Sequence, residues 1–190
     1  MAKDFETYAE REYLGAVCRA DQDIDIQLAG VRYVATRVVP DQEGCLRELL
    51  DMQSVDRTRQ EVDAGCVDAL LVTTDDALDT GRFLAHAASH RKTRTTGYKL
   101  VEAAMRRLGN TGNAALLAEL ARPDRTPAEI RKLTRILVRV SRIAPPEPVG
   151  TLVRCTPRQR AELVEAWGKA IRAAGGLPPE QHIVSEPPDS

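Results

Sequence analysis

Aromatic side chains are scarce. Two Phe, four Tyr and one Trp make up 4% of the 190 residues, few for the stacked platforms on which proteins hold single-stranded nucleic acid. No apolar run approaches the roughly 20 residues that a membrane-spanning helix needs, and the opening Met1-Ala2-Lys3-Asp4-Phe5-Glu6 is no signal peptide. These absences predict a soluble, cytoplasmic protein without a membrane partner. The four cysteines, Cys18, Cys45, Cys66 and Cys155, include no Cys-x-x-Cys pair for zinc or thiol exchange. Each lies among apolar neighbours, where a thiol behaves as a small hydrophobe. His86 and His90 are four apart, but no nearby Cys, Asp or Glu completes a metal set. No nucleophile, base and orienter come together in sequence, and no glycine loop offers to cradle a phosphate. The expectation is a protein with no metal and no other cofactor.

What is present is charge, unevenly distributed. The chain as a whole carries −1. Residues 1–80 hold 8 Lys and Arg against 18 Asp and Glu, whereas residues 81–172 hold 19 against 7. Such a split points to an anionic partner for the basic half, or to attraction between acidic and basic halves.

Hydrophobic periodicity changes along the chain. Phe5, Ala9, Tyr13, Ala16 and Val17 recur at helical spacing, so residues 4–19 read as a helix. Ile24, Ile26 and Leu28 alternate with polar residues, and after Ala29-Gly30 the β-branched stretch Val31 to Val39 completes a hairpin. A broken helical pattern runs over residues 41–64 and ends near Gly65. The apolar run Cys66 to Thr73 then reads as a strand covered on both faces. Thr74 or Asp75 caps a helix reaching about Ser89, and the rest of the chain reads as helical. A helix of about 97–108 is stopped by Gly109-Asn110-Thr111-Gly112, and Ala114 to Ala121 is a short, buried helix. Two starts stand out, Thr126-Pro127-Ala128-Glu129 and Thr156-Pro157-Arg158-Gln159. Each places Thr at the N-cap, Pro at the first helical position and Glu or Gln at the third, so that orphaned backbone N–H groups are satisfied reciprocally. Pro145-Pro146-Glu147-Pro148 is a stiff linker between them. The order predicts an α+β fold: a small sheet with helices over residues 1–90, a basic all-helical region over 91–174, and a disordered tail over 175–190.

The first part carries a resemblance. Phe5-Glu6 opens the first helix, Asp23-Ile24-Asp25-Ile26 lies on the first strand, Gly30-Val31-Arg32-Tyr33-Val34 leads the second, and Ala69-Leu70-Leu71-Val72-Thr73-Thr74 precedes a helix. In that order these segments resemble restriction-endonuclease-like domains of the Mrr-like branch, over residues 4–90. The resemblance implies a nuclease core in which an Asp and a following Glu-x-Lys or Gln-x-Lys hold Mg²⁺ and activate water. Asp25 stands in the place of the Asp, but the next strand reads Ala35-Thr36-Arg37. Alanine offers no metal ligand, and an arginine does not act as a base at neutral pH. Asp25 and Arg37 are therefore the remnants of a degenerate site, and binding without cleavage is expected. Glu10 or Glu12 as substitute ligands would make a metal-dependent nuclease with an unusual active site.

The sharpest feature is the helix opened by Thr126. Ile130, Leu133, Leu137, Val140 and Ala144 form an apolar stripe, and Arg131, Lys132, Arg135, Arg139 and Arg142 fall opposite. Cations three and four apart repel by a few tenths of a kcal/mol per pair, a cost relieved by a nucleic-acid backbone or by the acidic half of this chain or of a second copy, or left to solvent. A second basic stretch, His90 to Lys99, adds Arg91, Lys92, Arg94 and Lys99, residue types that contact phosphates. A helix-turn-helix over 97–121 is disfavoured, because its turn is long and its second helix lacks side chains to read base edges. The leading expectation is a non-catalytic protein that contacts duplex DNA through phosphates. The alternative is a self-associating assembly subunit whose acidic and basic halves meet, with the apolar stripe in the contact.

Overall fold

A computed structural model describes residues 60–90 and 95–176 of the chain. Those residues are 80% helical and contain no strand, which overturns the α+β expectation for the part that is described. The hairpin of residues 24–39, the first helix and the tail beyond Gly176 lie outside the described residues. Among the described residues seven helices follow one another: α1 (Gln60–Thr73), α2 (Ala77–His90), α3 (Thr95–Leu108), α4 (Asn110–Ala121), α5 (Pro127–Ser141), α6 (Val149–Arg154) and α7 (Pro157–Ala173).

The run Cys66 to Thr73, expected as a strand, is the second half of α1. Its burial explains why. In a strand, Cys66, Asp68, Leu70 and Val72 would share one face, yet Cys66 and Leu70 are buried while Asp68 and Val72 are exposed. In a helix, Cys66, Val67, Ala69 and Leu70 turn inward together, and Asp68 and Val72, one turn apart, turn outward. Ala69, Leu70 and Leu71 are also good helix formers. Gly65, expected as a stop, lies within the helix. At the next start the cap is neither Thr74 nor Asp75. Asp76 accepts from the N–H groups of Leu78 and Asp79 at 3.0 and 2.9 Å, and Thr74 Oγ1 accepts from Asp76 N at 3.2 Å.

Between α3 and α4 the expected long turn is the single residue Gly109, at φ 59°, ψ −126°, a backbone region that glycine alone adopts readily. α4 therefore begins at Asn110 and doubles back against α3. A β-carbon on Gly112 would overlap the Met105 carbonyl. α4 is the central helix, packed against α2, α3, α5 and α7, with Ala115, Leu116, Leu117 and Leu120 buried. One apolar core joins Leu70 and Leu84 to Met105, Leu116, Leu133, Ile136, Leu137 and Trp167, so it spans both sides of residue 90.

Both Thr-Pro starts are capping boxes in the structure: Thr126 with Glu129, and Thr156 with Gln159. Arg142 ends α5 in the left-handed region at φ 61° and returns its N–H to the Val138 carbonyl at 2.9 Å. After α7 the chain turns at Gly175, φ 76°, and Gly176 N closes onto the Ile171 carbonyl at 2.9 Å. Two side chains tie α7 to the bundle. Trp167 Nε1 donates to the Ile143 carbonyl at 3.2 Å, and buried Arg160 donates to the carbonyls of Arg122 and Pro123 at 2.6 and 3.3 Å. No helix of the described residues is long and apolar enough to cross a membrane.

The close approach of α3 and α4 predicts a contrast between two helical glycines. Gly112→Ala should lower unfolding free energy by about 1–3 kcal/mol, because the new methyl has no room. Gly150→Ala on α6, where a β-carbon meets nothing within 4 Å, should be neutral or stabilising by up to about 1 kcal/mol from helix propensity. Urea titration of the two variants checks this, and equal midpoints would mean that α4 does not lie against the α3 backbone.

Candidate nucleic-acid interface

α5 divides its residues cleanly. Glu129, Ile130, Leu133, Thr134, Ile136 and Leu137 are buried, and Arg131, Arg135 and Arg139, with Arg142 at the cap, are exposed. The apolar stripe thus serves this chain's own core. Val140 is half-buried, and Ala144 is exposed beyond the helix end. At 3.6 residues per turn, Arg131 and Arg135 project within about 40° of one another, and Arg142 at the C-cap lies roughly 16 Å along the axis from Arg131. None of the three has an ion-pair partner among the described residues.

The other expected cations divide differently. Lys132 turns away from the row and donates to the Ser89 carbonyl at 2.9 Å, closing the C-terminal end of α2, where a cation is favoured by the helix dipole. Arg139 Nη1 is bound to Glu102 Oε2 on α3 at 3.3 Å. Lys99 is exposed on α3, two turns before Arg106 on the same side of that helix, and has no partner among the described residues. Arg91, Lys92 and Arg94 lie outside the described residues, as do Asp25 and Arg37. Arg131, Arg135 and Arg142 therefore form an exposed row without an ion-pair partner among the described residues, whereas Lys132 and Arg139 are drawn into contacts within the fold.

What holds this helix in place is a buried polar network at its start. The Arg125 side chain is 1% exposed, and those of Glu119 and Glu129 are 2% and 6% exposed. Arg125 is paired to Glu119 Oε2 through Nη2, donates through Nη1 to Glu129 Oε1 at 3.2 Å and Ser89 Oγ at 3.1 Å, and through Nε to the Glu119 carbonyl at 3.2 Å. Its Nη2 also meets His86 Nδ1 at 2.8 Å. Arg82 Nε donates to Glu119 Oε1 at 3.2 Å. Glu129 closes the capping box with its other oxygen, accepting from Thr126 N at 2.7 Å. One guanidinium thus joins the ends of α2 and α4 to the start of α5. Beside it, Arg122 grips Asp124 through Nε and Nη2 at 3.1 and 2.8 Å. That contact lowers the Asp124 carboxyl from its ordinary 3.8 to about 2 and raises the Arg122 guanidinium.

Sequence reasoning read Glu129 as a capping residue but missed Arg125 and Glu119, which become partners only when α4 and α5 pack. It also missed Arg106 and Glu102, described below. Their sole sequence signal is a four-residue spacing on α3, common on any helix surface. Compared with protein-family models, with curated proteins and with solved structures, the chain has no match in any of the three.

Two predictions follow from this geometry. Arg125→Leu leaves buried Glu129 without its cation and Glu119 with only the half-exposed Arg82 and Arg122, and should cost about 3–5 kcal/mol, whereas Arg131→Ala, at an exposed site with no ion-pair partner among the described residues, should stay within about 0.5 kcal/mol of the parent. Chemical unfolding of both distinguishes them, and a mild Arg125 variant would remove the network as the anchor of α5. For Asp124, whose folded pKa is depressed, the contact with Arg122 is fully present above about pH 4 and is lost as pH falls through about 2. Carboxyl ¹³C NMR should place its midpoint near 2, and Arg122→Ala should return it toward 3.8. A midpoint unmoved by that substitution would contradict the bidentate contact.

Proposed function

We propose that this chain binds duplex nucleic acid through the phosphate backbone, using Arg131 and Arg135 on α5, Arg142 at its C-cap and exposed Lys99 on α3. The observation that carries this reading is the row itself: exposed Arg131 and Arg135 on one side of α5 and exposed Arg142 at its C-cap, with no carboxylate among the described residues pairing them. Left alone, such cations repel along the helix. A polyanion removes that penalty and gains further when bound counterions are released. The opposite face of α5 is locked in the core, and its start is pinned by Arg125, so the row is presented on a rigid support.

The same residues favour backbone contact over base readout. The projecting face of α5 is built from guanidiniums, which position a protein on phosphates without sequence discrimination when no groove-entering element accompanies them. α4, the second helix of the α3–α4 pair, is enclosed by four neighbours and has no free face for a groove. Trp167 is fully buried and Phe83 is packed against the core, so neither serves as a stacking platform for single strands.

Fluorescence anisotropy on two duplexes of unrelated sequence tests this. Affinity should fall steeply with salt and be similar on both, and Arg131→Ala with Arg135→Ala should reduce the slope of log K against log[salt] by about two. Arg158→Ala, which removes an exposed cation already paired with Glu162, should leave the slope nearly unchanged. An unchanged slope in the double variant, or no binding at low salt, would reassign the row to another anionic partner, such as the acidic half of a second copy.

A further inference from the structure

At the edge of the free row lies a pair of guanidiniums that the fold holds back. Glu102 of α3 is 8% exposed as a residue. Its Oε1 accepts from Arg106 Nη2 at 2.6 Å and its Oε2 from Arg139 Nη1 at 3.3 Å. Arg106 Nη2 also donates to the Arg139 carbonyl at 3.3 Å, so the cluster bridges α3 and α5. The two guanidiniums remain about half exposed, at 53% and 51%. Arg139 follows Arg135 by one helical turn, which puts the cluster directly beside the row. The neighbouring Arg107 is paired with Asp68 of α1.

We propose that Glu102 is an internal competitor for the phosphate-binding surface: it withholds Arg139 and Arg106 from the polyanion, and Arg106 is a further phosphate-binding residue that becomes available when the carboxylate is neutralised. This inference rests on the polyanion reading of α5. The physical argument is one of charge and donors. A carboxylate engaged by two guanidiniums reduces their combined charge from two to one and occupies the N–H groups between them. Charge-assisted contacts of this kind are stronger than neutral ones, and a carboxylate almost removed from water is not replaced by solvent when a phosphate approaches. The row of Arg131, Arg135 and Arg142 has no such competitor among the described residues. The surface therefore contains committed cations and reserve cations side by side, and Glu102 sets how many of them a duplex engages. Uniform phosphate affinity is attenuated without any loss of the helix packing that Glu102, Arg106 and Arg139 jointly support.

Glu102→Gln keeps the size and removes the charge. The variant should bind both unrelated duplexes more tightly, by roughly tenfold at 0.1 M salt, with a slope steeper by between about one and two, because each guanidinium released neutralises a further phosphate. Adding Arg106→Ala and Arg139→Ala to Glu102→Gln should return the slope to that of the wild type. Asp75→Asn changes net charge equally on the α1–α2 turn and should alter affinity less than about twofold, which separates local release from overall charge. Should the Gln variant fail to fold, Glu102→Ala carries the same expectation. In the wild type itself, duplex should shift the Nε–H NMR signals of Arg131 and Arg135 but not those of Arg106 and Arg139. A wild-type protein that binds duplex while Glu102→Gln gains nothing, or binds more weakly, overturns the proposal and leaves the reading of α5 intact; weaker binding would mean that Glu102 orients the pair for phosphate. Equal shifts of all four arginines in the wild type overturn it likewise. Absence of binding by both proteins at low salt overturns the reading of α5 and this inference with it.

Discussion

The guanidinium of Arg125 sits where α2, α4 and α5 would otherwise bury two carboxylates against each other. Glu119 closes the end of α4 and Glu129 caps the start of α5, and both are nearly removed from water. Two such groups side by side repel and lose hydration, so neither helix end would settle there without a cation between them. Arg125 supplies it, and its remaining N–H groups are taken up by Ser89, His86 and the Glu119 carbonyl. Its contacts are thereby shared among three helices, α2, α4 and α5. The arrangement fixes which way α5 leaves the bundle, and hence which of its faces meets the core.

Given that orientation, α5 acts as a two-sided element. Ile130, Leu133, Ile136 and Leu137 fill the core together with Leu116, Leu120 and Trp167, and the arginines have no route except outward. Packing and charge presentation are therefore one event. The loop before α5 is held from the far side as well, by Arg160 of α7 on the carbonyls of Arg122 and Pro123. Arg160 is itself buried, so the bundle uses buried guanidiniums twice to satisfy backbone and carboxylate groups at the α4–α5 junction.

Charge in the described region is sorted by depth. Nearly buried acids, Glu102, Glu119 and Glu129, are each matched to arginines. Apart from Arg160, which is buried against backbone carbonyls, cations in excess of these acids lie toward the surface, and on α5 Arg131 and Arg135 share one side because a helix returns to it every three to four residues. This explains how a chain with almost no net charge presents a strongly basic face. Three of the acids in the basic half, Glu102, Glu119 and Glu129, are nearly buried against arginines, so the exposed side of α5 carries more positive charge than the composition alone conveys.

Local signals in the sequence were sufficient for the features that depend on a few neighbouring residues. Thr126-Pro127-Ala128-Glu129 and Thr156-Pro157-Arg158-Gln159 dictate capped helix starts, since every hydrogen bond of a capping box lies within four residues. The spacing of Ile130, Leu133 and Leu137 against Arg131, Arg135 and Arg142 dictates a two-sided helix. The run Cys66 to Thr73 was not decidable this way, because a segment buried on most sides has no periodic contrast, and a strand and a helix then look alike. Its neighbours decided: the outward placement of Asp68 and Val72 exists only once α1 packs on α3. Which arginines are free was likewise beyond the sequence. Lys132 and Arg139 have the same local pattern as Arg131 and Arg135, and they differ only in what packing brings to them, the Ser89 carbonyl from 43 residues away and the Glu102 carboxylate from 37. Both contacts close across space and not along the chain, so tertiary structure alone separates these cations, spent on the fold, from Arg131 and Arg135.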